Sequence, residues 1–143
     1  MQYNFLQKIT GFDVYGDAYL EVVTDYTTSK YFSAEDIEAA VQYAANMANA
    51  GHEIHFGPAA RKADLGSKRS DRKNVLWVKS CWVDIDSPDK TLSADDKLKV
   101  AEKLKNDFLE SLKAYNLEPS FIVRSGHGYH IYFILRRVHM GPT

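Results

Sequence analysis

Apolar and polar positions alternate over Ala18-Tyr19-Leu20-Glu21-Val22-Val23, which predicts a strand, and Thr24 to Ser29 has turn composition. A helical period takes over after Ser33, with Ile37, Ala40, Val41, Ala44, Ala45 and Met47 or Ala48 recurring on one face. Ser33 stands at the N-cap, Asp36 at the reciprocal position of a capping box, and Gly51 supplies the stop. His52 to Phe56 predicts a short strand broken by Gly57-Pro58. Val75–Val78 and Ser80–Asp86 are β-branched and aromatic enough for a buried strand, ended by Ser87-Pro88-Asp89. Ser93 with Asp96 makes a second capping box, and Leu98, Ala101, Leu104, Phe108, Leu112 and Tyr115 trace one face of a long amphipathic helix. Asn116 suits a left-handed stop, and Pro119 bars continuation. Phe121-Ile122-Val123 predicts a strand, Gly126-His127-Gly128 a turn, and His130 to Leu135 a strand returning beside it.

The second half therefore spells strand, long helix, strand, strand. A right-handed crossover places the strands of Val83 and Ile122 in one sheet, with the helix on a single face. The predicted class is α+β, with the other face of the sheet open. The first thirty residues are mixed in pattern, and the chain has no internal repeat. Its 143 residues suit one domain, and 45% hydrophobic with 26% charged residues marks a folded chain. Lys plus Arg is 18 against 19 for Asp plus Glu, which excludes binding to nucleic acid or membrane by bulk charge and leaves local patches open. Arg61, Lys62, Lys68, Arg69, Arg72 and Lys73 form such a patch around Gly66-Ser67, on a segment predicted to be a flexible loop, either merely solvated or facing phosphates. The lone Cys81 excludes a disulfide framework and fits a reducing compartment. With neither a leader pattern at Met1–Thr10 nor an apolar run of about 20 residues, a cytoplasmic protein that does not enter a membrane is expected.

Two stretches carry candidate chemistry. Asp84 and Asp86 are two apart on a strand, so their side chains leave one side roughly 6–7 Å apart at the backbone, with Val83 and Ile85 facing the core. Paired hard oxygen donors suit Mg²⁺ or Mn²⁺; the alternative is a strand end turning into solvent. In Ser125-Gly126-His127-Gly128-Tyr129-His130, bracketing glycines let backbone amides approach a phosphate, with His130 opposite Ile131 and Phe133; alternatively the glycines serve only the turn. Trp77 and Trp82 either pack in the core, the favoured reading, or stack on bases, and Trp82 shares the carboxylate side. His52 and His55, three apart on a strand, face opposite sides and do not share an ion.

An acid-x-acid strand, a helix, a strand, then a small-residue turn ending in histidine resembles the archaeo-eukaryotic primase superfamily, in the primase-polymerase branch of phages, plasmids and mobile elements. Ile54–Arg61 is similar to the approach to the first motif, Leu76–Pro88 to the metal-binding first motif, and Ile122–Phe133 to the second, small-x-histidine motif at Gly128, Tyr129 and His130. The resemblance runs from about His52 to the end. It implies an N-terminal α/β unit with a basic loop (1–74), followed by a β-α-β-β half of an RRM-like primase catalytic core (75–143), helices on one face of an open sheet. It further implies divalent-metal-dependent nucleotidyl transfer from NTP or dNTP on a DNA template. Asp84 and Asp86 would hold Mg²⁺ or Mn²⁺. His130, Ser125, Gly126, Gly128 and Arg61 would meet the nucleotide, and Lys68, Arg69, Arg72 and Lys73 the DNA. Single-stranded template, primer and a replicative helicase would be the partners. The family's further metal-binding acid, on a strand after the second motif, has no counterpart in Arg136–Thr143. The chain is accordingly expected to be a fragment or reduced form, and its alternative function is nucleotide or single-stranded DNA binding without catalysis.

Overall fold

The computed structural model describes residues 2–142 and has three α-helices and a six-stranded antiparallel open sheet, the predicted α+β class. In chain order these are α1 (Gln2–Thr10), β1 (Tyr19–Thr24), β2 (Thr28–Ser33), α2 (Ile37–Asn49), β3 (Ile54–Arg61), β4 (Val75–Ile85), α3 (Ala94–Lys113), β5 (Phe121–Arg124) and β6 (Tyr129–Met140). The strand order is β2-β1-β3-β4-β6-β5. The strands joined by α3 are therefore not neighbours, because β6 lies between them. No helix among the described residues is long and apolar enough to cross a membrane. The chain forms two compact units that divide the two long strands: one comprises the chain up to Ser80 with the stretch from Leu135 on, the other Cys81–Ile134.

In the first unit, β1 is buried along nearly its whole length, with Leu20 and Val22 fully enclosed together with Leu6, Ile9 and Ile37. The α1 helix, unpredicted from the sequence, ends at Gly11 in the left-handed region (φ 81°). Its last turn is tied to β4 where Trp77 Nε1 donates to Thr10 O at 2.8 Å and Ser80 Oγ to Ile9 O at 2.9 Å. Trp77 is thus a core residue. The predicted turn after Thr24 is shorter than expected: Thr24 pairs with Thr28 across a three-residue loop, in which Asp25 and Tyr26 both have positive φ (50° and 59°). Gly57-Pro58 does not end β3. Tyr19 pairs with Arg61 and Glu21 with Gly57, so β3 carries extra residues opposite Leu20, and Pro58 falls within that bulge. Ser33 accepts from Glu35 N, not from its expected partner, and opens a short 3-10 turn before α2.

In the second unit α3 begins as predicted, with Ser93 Oγ accepting from Asp96 N at 3.2 Å, and the chain leaves it through Asn116 at φ 53°. Replacing Ser93 by alanine removes that acceptor and is expected to lower stability by about 1 kcal/mol, read as a fall in the urea midpoint at unchanged slope. On the hairpin, Ile122 pairs with Ile131 and Val123 with His130. Tyr129 reaches α3, where its hydroxyl bonds Glu102 and Lys105 Nζ lies 4.5 Å from the ring centroid. Ile85 is buried as expected, but Val83 is 36% exposed, a correction to its predicted place in the core.

Candidate functional site

The face of the second unit turned away from Tyr129 and Glu102 carries Trp82, Asp84, His130 and Tyr132. Alternation along β4 puts Trp82 and Asp84 on one side, and the same alternation along β6 does so for His130 and Tyr132. Their side chains meet: His130 Nε2 lies 3.4 Å from Asp84 Oδ1, the Trp82 and Tyr132 rings stack with centroids 6.2 Å apart, and His130 stands edge-on to Tyr132 at 6.3 Å. Asp84 is 64% exposed and His130 28%, so the pair opens to solvent. Burial, and then the charge of Asp84, push the Tyr132 phenol up from its ordinary value. Asp84→Asn is therefore expected to shift the ultraviolet titration of Tyr132 to lower pH while leaving the burial contribution in place.

Asp86 lies one residue beyond β4, and its carboxylate turns to Lys90 Nζ at 2.7 Å while accepting from the Ser87 amide at 3.0 Å. Lys90 above all, with the Ser87 amide and the His127 imidazole, holds its carboxyl below the usual carboxylate range, against the opposing effect of burial. The structure thus joins Asp84 to His130 and gives Asp86 a different partner. The sequence offered one signal for this that the candidate set left out, a lysine at i+4 from Asp86.

The hairpin explains its glycines separately. Gly126 has φ 88° and open space where a Cβ would be, so it serves the turn. Gly128 serves proximity: a Cβ there would lie 2.3 Å from the carbonyl oxygen of Ile85. Residue 128 is small because the backbone of Ile85 and Asp86 passes against it. The Ser125 amide donates to Gly128 O at 2.9 Å and so is engaged within the turn. His127 is exposed at the tip.

The remaining candidates belong to the first unit. Arg61 faces Glu21 at 3.2 Å with 13% of its side chain exposed. The segment after it, expected to be flexible, is held at several points. Ser29 N donates to Ser67 O, Tyr31 OH to Lys68 O, Ser70 N to Glu21 Oε2, and Asn74 exchanges bonds with Ala63. Buried Glu21, Ser29 and Tyr31 supply these anchors, which a hydrophobic pattern cannot reveal. Lys68, Arg69, Arg72 and Lys73 remain exposed on this anchored segment, with Arg69 donating to Tyr26 O at 2.9 Å.

Among the described residues no three His, Cys, Asp or Glu side chains gather closely enough to hold a metal ion. The carboxylates of Asp84 and Asp86 therefore do not make a cage of their own. They fit only an ion such as Mg²⁺ that keeps water and takes further oxygens from a bound phosphate. Comparison with protein-family models, curated proteins and solved structures finds no match to this chain.

Proposed function

We propose that this chain is a primase-polymerase-like domain whose second unit receives a nucleoside triphosphate on the face carrying Asp84 and His130. The observation that carries the reading is the convergence of the two motifs: Asp84 and His130 in contact, and Gly128 admitting the hairpin against the backbone of Ile85. His130, protonated or neutral, can donate to a phosphate oxygen, and Trp82, 47% exposed, offers an aromatic surface beside it. Asp84 and Asp86 would hold Mg²⁺ or Mn²⁺ together with the triphosphate. When bound, the ion would neutralise phosphate charge and favour nucleotidyl transfer to a primer end. Taking part in this requires Asp86 to leave Lys90, an exposed partner of the kind that contributes little to stability. Arg61, engaged by Glu21, is not part of this proposal.

A second reading, nucleotide or single-stranded DNA binding without catalysis, is favoured by the Asp86–Lys90 pair and by the lack, among the described residues, of a third ligand beside Asp84 and Asp86. Primer extension on a DNA template with Mn²⁺ or Mg²⁺, alongside equilibrium binding of ATP and dATP, separates the two. Extension abolished by Asp84→Asn supports the catalytic reading. Metal-promoted nucleotide binding that His130→Ala weakens, without extension, supports the binding reading. Absence of both overturns the proposal.

A further inference from the structure

Charge is unevenly distributed within the first unit. Residues 1–60 hold eight acids and two Lys/Arg, whereas 61–80 with 135–143 hold nine Lys/Arg and two acids. Arg61 is neutralised by Glu21. The other eight cations, Lys62, Lys68, Arg69, Arg72, Lys73, Lys79, Arg136 and Arg137, include none with an ion pair among the described residues. In the second unit, by contrast, five of six lysines are paired. Asp71 and Asp64, the two acids in the patch, accept from the backbone amides of Lys73 and Gly66.

The fold brings the two basic stretches together. Gly141 N donates to Leu76 O at 2.8 Å, Lys62 Nζ bonds Pro142 O, and Lys79 Nζ donates to Leu135 O at 2.7 Å and to Arg136 O at 3.2 Å. The last half of β6 therefore runs beside the first half of β4. Lys62, Arg72 and Lys73 lie toward one end of this stretch, and Lys79, Arg136 and Arg137 toward the other. Between Val75 and Lys79 the strand rises roughly 13 Å, enough for several backbone phosphates. Half of the eight cations are arginines, whose planar donors match phosphate oxygens.

We infer that the exposed Arg136 and Arg137, which leave opposite faces of β6 beyond the part paired with β5, extend the basic loop along this edge of the sheet into a surface that binds the sugar–phosphate backbone of a nucleic acid strand. This surface deepens the nucleic-acid side of the proposed function without using the Asp84–His130 face. It predicts binding that is insensitive to base sequence and steeply dependent on salt.

The test is fluorescence anisotropy of the full chain with single-stranded and duplex oligonucleotides, from 50 to 200 mM salt, with polyglutamate as competitor. Arg136→Glu/Arg137→Glu is expected to weaken binding about tenfold or more and to flatten the salt slope by about 1–2. Lys99→Glu/Lys103→Glu, on exposed and already paired positions, should change affinity less than twofold. Arg136→Gln/Arg137→Gln serves if charge reversal impairs folding, and should weaken binding in the same direction. No binding by the parent chain, equal losses in the two double variants, or equally tight binding of polyglutamate would overturn the inference, the last pointing to an acidic protein partner. ATP binding should be the same in Arg136→Gln/Arg137→Gln as in the parent chain, so a failure of the nucleotide site stays distinguishable from a failure of this surface.

Discussion

Gly128→Ala is expected to destabilise the protein by about 2–3 kcal/mol and to lower its Tm by about 10 °C, the effect of forcing an atom into a packed site. The added Cβ would meet Ile85 O at 2.3 Å, Ile85 C at 3.3 Å and Asp86 Cα at 3.4 Å. All three are backbone atoms, so no side chain can rotate aside; the hairpin or the end of β4 must move. Movement there separates Asp84 from His130, so loss of nucleotide binding should accompany loss of stability. Gly126→Ala is the comparison. It has nothing within 4 Å but a φ of 88°, so its cost is conformational, about 1 kcal/mol, and confined to the turn. Thermal melts of the two variants should therefore differ by several degrees. A Gly128→Ala protein melting within 2 °C of the parent would show that the hairpin does not approach β4 this closely.

The elements legible in the sequence are those whose stability is local. Ser93, the apolar period from Leu98 to Leu112 and Asn116 define α3 without reference to the rest of the chain, and the cap and left-handed exit appear where expected. The alternation that placed Trp82 with Asp84, and His130 with Tyr132, is likewise a property of the strands alone. What the sequence hid depends on neighbours. The α1 helix has a thin apolar stripe, and its position depends on bonds from Trp77 and Ser80, more than sixty residues away. Pro58 reads as a breaker unless the bulge opposite Leu20 is known. Asp86 reads as a partner of Asp84 until the chain is seen to leave β4 at Ile85, which frees its carboxylate to turn to Lys90. Glu21 reads as a solvent-facing residue on an alternating strand, yet β1 is enclosed on both faces.

Removing the charge at that last position should be the most damaging single change in the first unit. Glu21 is 2% exposed, and its Oε2 accepts from Ser29 Oγ at 2.7 Å and Ser70 N at 2.8 Å, with Tyr31 OH 3.3 Å away, while Oε1 faces Arg61. Register explains the gathering. Glu21 pairs with Tyr31 on β2 and with Gly57 on β3, and the absent side chain of Gly57 leaves room for the Arg61 guanidinium, 3.0 Å from where its Cβ would stand. Arg61 Nε is already buried without a hydrogen-bond partner, so losing Glu21 leaves a largely buried guanidinium without its counter-charge. Glu21→Gln is accordingly expected to destabilise by about 3–5 kcal/mol, a large share of the roughly 5–15 kcal/mol that holds a domain together. Arg61→Met in the same chain should recover much of this, because it removes the stranded charge, giving a coupling of at least about 1 kcal/mol in a urea double-mutant cycle. The Ser70 anchor goes with Glu21, so trypsin should cut after Lys68 or Arg69 faster in Glu21→Gln than in the parent at the same fraction folded. Additive energies with unchanged cleavage would mean that Glu21 neither balances Arg61 nor holds the basic segment to the sheet.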